Sequence, residues 1–166
     1  MAAKHVVGVA DMKISSQPGD LIVTHALGSC LGVAVHDPAA NVGGMLHVML
    51  PQASLNPDKA QANPFMFVDT ALPAFFNALW AAGAVKGRTA VVVAGGSNLN
   101  GGETDRFAIG KRNYMTLRKM LWRNGIMIAA EDVGGSVPRT LYLEIGSGRA
   151  WFATGGQEHE LHEGRS

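Results

Sequence analysis

Two side chains in the stretch Thr24 to Pro51 are suited to nucleophilic chemistry together: Cys30, the only cysteine in the 166 residues, and His47. The thiolate is the attacking form of cysteine, and a nearby imidazole either removes the thiol proton or, once charged, stabilises the anion. The apolar runs Leu31 to Val35 and Val42 to Leu50 flank His36-Asp37-Pro38-Ala39-Ala40-Asn41, a segment rich in turn formers, so a β-hairpin is predicted. With Asp37 to Ala40 as its loop, Cys30 falls directly opposite His47, where cross-strand Cβ atoms lie about 4.5–5.5 Å apart. A slip of one residue would put the two side chains on opposite faces.

The residues around the pair bear on the same chemistry. Gly28 and Ser29 precede the cysteine, and small residues there let backbone N–H groups approach a substrate carbonyl. An oxyanion hole formed by the Cys30 N–H and a neighbour is therefore expected. Strand alternation puts His47 on one face with Met45 and Met49, side chains that exclude water and hold the ring neutral. His25 and His36 lie in the same stretch and are not chosen, His36 because it belongs to the turn. Gly28-Ser29-Cys30-Leu31-Gly32 formally matches a nucleophile elbow, but that motif needs a helix after the nucleophile and a strand is predicted here. No His, Cys, Asp and Glu set has a zinc spacing, so neither metal nor cofactor is expected.

Leu27-Gly28-Ser29-Cys30, the threonine six residues before the cysteine, and Gly43-Gly44-Met45-Leu46-His47-Val48-Met49-Leu50-Pro51 together resemble the CheD family, the chemoreceptor glutamine deamidases of bacterial chemotaxis. In that family a cysteine is the nucleophile, a histidine its base, and a threonine orients the histidine. By motif position the resemblance assigns these roles to Cys30, His47 and Thr24. A threonine that accepts from one imidazole nitrogen leaves the other free to take the thiol proton.

The elements that must position these residues are legible along the chain. His5 to Ile14 and Leu21 to Thr24 read as strands, Gln52 to Pro64 as a long loop of the kind that covers sites, and Phe67 to Ala84 as a helix capped near Asp69. Thr89 to Ala94 is a β-branched run suited to a strand buried on both faces, followed by a glycine-rich loop from Gly95 to Gly102 that lacks nucleotide-binding spacing. Ile109 to Asn124 is a helix closed by Gly125, with Lys111, Arg112, Arg118, Lys119 and Arg123 gathered on one side. Strands are predicted at Ile126 to Glu131, Arg139 to Ile145 and Arg149 to Ala153. The polar residues 155–166 are expected as a disordered tail. The order points to an α/β fold: a single-domain layered α/β sandwich over residues 1–154 with mixed sheets and two main helices, which is also the fold the resemblance implies.

Composition limits the alternatives. With 47% apolar and 16% charged residues, one domain can bury about two-thirds of its extended-chain surface without disulfide or metal. A lone cysteine fits a reducing compartment, and no apolar stretch approaches membrane-spanning length, so a cytoplasmic protein without membrane insertion is expected. A formal charge of +1 sets up no field that calls for nucleic acid.

The resemblance continues through Gly95-Gly96, Ile109-Gly110-Lys111-Arg112-Asn113 and Asp132-Val133-Gly134-Gly135 with Arg139, covering roughly residues 20–152. Departures fall at Ala26, where the family usually has Gly; in the strand before Gly95, where it has Lys; at Ser97, where it has Ala; and at Pro138, where it has Gly. The expectation is a cysteine-dependent protein-glutamine glutaminase acting on methyl-accepting chemotaxis receptors, with a CheC-type phosphatase as a further partner. The alternative is a non-catalytic module of the chemotaxis array that docks to either partner. A third reading is a cysteine amidase acting on a small molecule.

Overall fold

The computed structural model describes residues 2–99 and 108–164, so the Asn100 to Gly102 end of the glycine-rich loop and the last two residues of the tail lie outside the described residues. In chain order the elements are β1 (Lys4–Val6), β2 (Asp11–Ser15), β3 (Leu21–Leu27), β4 (Leu31–Asp37), β5 (Val42–Val48), α1 (Pro57–Ala62), α2 (Val68–Ala81), β6 (Ala90–Gly95), α3 (Ile109–Arg123), β7 (Ile128–Val133), β8 (Arg139–Glu144), β9 (Ala150–Thr154) and β10 (Gln157–His162). Two five-stranded sheets form, ordered β1-β3-β8-β9-β10 and β2-β5-β4-β6-β7. Each mixes one parallel pair, β1 with β3 and β6 with β7, with antiparallel neighbours.

Period-two alternation in the second sheet separates two cores. Val33 and Val35 of β4, Leu46 and Val48 of β5, and Val91 and Val93 of β6 pack with Leu72, Phe75 and Leu79 of α2 and Leu117 and Leu121 of α3. The residues between them, Ala34, Met45, Val92 and Ala94, meet Ile22, Leu141 and Leu143 of the first sheet. The molecule is thus sheet on sheet with helices on the outer face of the second sheet, the layered α/β sandwich that the element order predicts. Each layer is held by the apolar area it removes from water, about 25 cal/mol per Å².

The hairpin forms with a different register. Asp37 pairs with Val42, so the four-residue loop is Pro38 to Asn41, and Gly32 rather than Cys30 stands opposite His47. The cause is Asp37, whose Oδ1 accepts from Ala39 N and Ala40 N and which therefore starts the turn one residue later, while Asn41 takes the left-handed conformation at φ 53° that asparagine tolerates. The shift keeps the side chains on the expected face.

Other expectations are corrected in the same way. The strand predicted from His5 to Ile14 is two strands in different sheets, because Ala10 at φ 57° breaks it. Residues 52–64 are not one loop: two 3₁₀ turns, Ala53–Leu55 and Pro64–Met66, flank α1, with Asn56 and Asn63 accepting from Lys59 N and Phe65 N. Helix α2 starts after Phe67, and Asp69 accepts from Ala53 N instead of capping it. Residues 157–162, expected within a disordered tail, form β10. Gly155 and Gly156, both at positive φ, turn the chain back, and cross-strand pairs hold it: Trp151 Nε1 donates to Glu158, Arg149 pairs with Glu160, and His159 stacks on Phe152.

Ala26 lies in the irregularity of β3 between Thr24 and Leu27 at φ 58°. Left-handed backbone costs a non-glycine residue roughly 1–2 kcal/mol, so Ala26→Gly is expected to raise the unfolding free energy by about 0.5–1 kcal/mol after the extra chain entropy of glycine is subtracted. Urea unfolding of the two proteins checks this.

Candidate active site

Thr24 of β3 and His47 of β5 come from different sheets and meet in the layer between them, at 0% and 1% exposure. Thr24 Oγ1 donates its one proton to Val7 O at 2.8 Å and lies 2.7 Å from His47 Nδ1. With that proton committed, the hydroxyl can only accept from the imidazole. Nδ1 therefore carries the ring hydrogen, and Nε2 is left with a bare lone pair. Among the described residues Nε2 is buried with no hydrogen-bond partner, a condition that costs about 1–3 kcal/mol. Gly32, the strand neighbour of His47, has no room for a side chain, because Leu27, Leu141 and Thr24 pack against its backbone and a Cβ there would press on all three.

Cys30 directly precedes β4, and its carbonyl accepts from Gly96 N at 2.9 Å. It lies two residues before Gly32, so its side chain shares the face of His47 as a diagonal neighbour, the kind of pair whose Cα atoms are about 7–8 Å apart. The thiol is half-buried, packed at the edge of the core between the sheets. Burial pushes its pKa up, and burial pushes that of His47 down to about 4. At neutral pH the resting pair is thiol and neutral imidazole.

That burial links protonation to folding. In the unfolded chain His47 titrates near its ordinary 6.5, and in the folded protein near 4. Between those values only the unfolded state binds the proton, so stability falls as pH drops from about 6.5 to about 4, by roughly 3 kcal/mol across the window. Above it the contribution is constant. Urea unfolding of wild type and His47→Gln between these pH values is expected to show the extra acid loss only in wild type.

Gly28 and Ser29, the expected backbone donors, are held by their carbonyls. Gly28 O accepts from Ser97 N at 2.8 Å, and Ser29 O from Asn113 Nδ2 at 2.9 Å. The loop that holds them is anchored by Arg139, which donates to Ser97 Oγ, Gly95 O, Gly134 O and Asp132. The Ser97 hydroxyl also donates to Val137 O at 2.7 Å, so the departure from Ala at this position supplies part of the anchor. Asn113 and Arg139 are the functional residues of this wall to which the sequence alone assigns no role. The available signal for Asn113 was an amide on the apolar stripe of α3, four residues from both Ile109 and Leu117. His36 Nε2 donates to Ile145 O at 2.7 Å and stays outside the cluster.

The architecture and the site define a class, a two-sheet α/β sandwich that brings a cysteine, a histidine and a threonine to one end of the layer between its sheets. The family model for "CheD chemotactic sensory transduction" matches residues 49–154. A protein of Solibacter usitatus described as a probable chemoreceptor glutamine deamidase CheD is 45% identical over 94% of this chain and 92% of its own length. Similarly described proteins of Syntrophus aciditrophicus and Anaeromyxobacter dehalogenans are 45% and 41% identical over 94% and 91% of the chain and 98% and 94% of their own lengths. The chain belongs to the CheD family. The family model begins beyond His47, but relatives aligned over 94% of the chain leave too few residues at the ends to omit the stretch from Thr24 to His47.

Proposed function

We propose that this protein hydrolyses glutamine side chains of chemoreceptors to glutamate and ammonia, with Cys30 as nucleophile, His47 as general base and acid, and Thr24 as the group that orients His47. The observation that carries the mechanism is the buried, unpartnered Nε2 beside a hydroxyl that fixes the tautomer. The names of the relatives supply the substrate.

In the first half-reaction the thiol turns toward Nε2 and gives up its proton, and Sγ bonds to the carboxamide carbon. The imidazolium then protonates the amine as the C–N bond breaks, releasing ammonia and leaving a thioester. In the second, a water gives its proton to Nε2 and attacks the thioester carbon; the C–S bond breaks, the thiolate takes the proton back, and glutamate is released. Burial holds both groups uncharged at rest, so each proton transfer starts from neutral partners in a poorly screened site, where the backbone dipoles that meet the oxyanion act strongly.

A protein substrate needs a surface as well as a centre. Helix α3 carries Lys111, Arg112, Arg118, Lys119 and Arg123 and no acidic residue, with Met115 and Trp122 exposed among them, Trp122 to 80%. This face suits an acidic protein segment, from the receptor or from a CheC-type phosphatase. Among the described residues no helix is long and apolar enough to cross a membrane.

Incubating the full chain with the cytoplasmic fragment of a chemoreceptor, and measuring both ammonia and the conversion of individual glutamines to glutamate by peptide mass, tests the reading. Matched, enzyme-dependent release of both supports it. Neither signal at any substrate concentration would reject it in favour of a binding module.

A further inference from the structure

Three successive carbonyls around the nucleophile are each held, the outer two by the 96–97 turn and the middle one by helix α3. Gly28 O accepts from Ser97 N, Ser29 O from Asn113 Nδ2, and Cys30 O from Gly96 N. In a trans peptide the carbonyl and the next N–H point to opposite sides of the chain. Holding Gly28 O and Ser29 O therefore aims the N–H groups of Ser29 and Cys30 away from the 96–97 turn and from α3. Neither N–H donates to another residue among the described residues, and that of Cys30 belongs to the residue that carries the sulfur. An N–H next to the sulfur is where a donor to a forming oxyanion has to be.

Of the three restraints only Asn113 is a side chain. It has no exposed surface, and its Nδ2 donates both to Ser29 O and to Met49 O, each at 2.9 Å. Met49 lies two residues beyond His47, so one carboxamide links the segment that carries the thiol to the segment that carries the imidazole. The arrangement is costly, because Asn113 Oδ1 is buried with no partner and a leucine of similar shape would fit the apolar stripe between Ile109 and Leu117. Gly110, one turn earlier, brings the start of α3 so close to Gly96 and Ser97 that a Cβ there would lie 2.6 Å from their backbone. The helix is thereby fixed against the turn that holds the other two carbonyls.

We infer that Asn113 is a positioning residue for the deamidation reaction, which turns the Ser29–Cys30 peptide so that its N–H faces the oxyanion of the tetrahedral intermediates. The inference rests on the deamidase reading above. It separates two properties that a structural role would leave together. Attack on an amide develops an oxyanion, whereas displacement of iodide from iodoacetamide by Cys30 does not.

The test compares full-length wild type, Asn113→Leu and Asn113→Asp, with urea unfolding as a control and rates expressed per folded molecule. Asn113→Leu is expected to lower kcat for a chemoreceptor fragment by about 10- to 100-fold, with KM and the rate of Cys30 alkylation within about threefold of wild type. Asn113→Asp keeps the shape and loses the paired donors, so it is expected to show the same split if the leucine variant does not fold. Unchanged kcat in either folded variant overturns the inference. So does a parallel fall in alkylation and deamidation, which would mean that the thiol itself had moved. Wild type that alkylates but deamidates nothing overturns the deamidase reading and this inference with it, whereas active wild type with active variants overturns the inference alone.

Discussion

Cys30→Ala is expected to leave no measurable ammonia release from a chemoreceptor fragment, and His47→Ala to lower kcat at least about a thousandfold, some 4 kcal/mol of barrier. The sizes follow from what each group supplies. Without sulfur no thioester forms, and water has no activated route to the amide. Without the imidazole the thiol is still present, but burial holds its pKa above the ordinary value, so at neutral pH almost none of it is ionised and nothing protonates the leaving amine. The residual rate of His47→Ala should therefore climb with pH as thiolate accumulates, while wild type, whose base is neutral down to about pH 4, should be nearly flat over the same range. Cys30 is half-buried, so Cys30→Ala should change unfolding free energy by no more than about 1–2 kcal/mol. Equal ammonia release by wild type and both variants would reject the assignment.

Gly95→Ala is expected to remove activity by a different route and to destabilise the fold by about 2–4 kcal/mol. Gly95 has φ +113°, a conformation that L side chains rarely adopt, and a Cβ built there would meet the Cys30 carbonyl. That carbonyl cannot retreat without losing the bond from Gly96 N, and moving it turns the nucleophile. The same residue accepts from Arg139 and from Gly134 N, so the anchoring of the site wall is disturbed too. Urea unfolding and ammonia release, measured on one preparation, should fall together. Wild-type stability with wild-type activity would show that the turn relaxes in a way the close approach does not allow.

Much of this site can be read from the chain because its parts are local. Cys30 and His47 belong to one hairpin, and alternation together with the turn that sets the register puts them on one face. The sequence pattern puts the loop one residue early because Asp37 looks like a loop residue but ends the strand as the acceptor for Ala39 N and Ala40 N. That error moves partners by two positions and leaves the face unchanged, which is why the chemistry survives it. Features set by distant segments were not legible. The division of the N-terminal strand depends on two sheets competing for it, and the left-handed Ala10 gives no signal as glycine would. Strand β10 is stabilised by pairs across to Trp151, Arg149 and Phe152 rather than by an apolar stripe, so its composition reads as tail. Thr24 could be nominated only through the family resemblance, because its contact with His47 spans two sheets.

The short passage from Val7 to Ala10 has a consequence of its own. It leaves one sheet and enters the other, offering Val7 O to the Thr24 hydroxyl on the way and Ala10 N to the His47 carbonyl at its end. The Thr24 hydroxyl is oriented within the first sheet, where Val7 N is itself held by Val23 O, and it assigns the ring hydrogen of His47 only once the two sheets have closed on each other. Without that closure the imidazole has no preferred tautomer, so under the proposed mechanism amide-cleaving power depends on the two sheets being packed together.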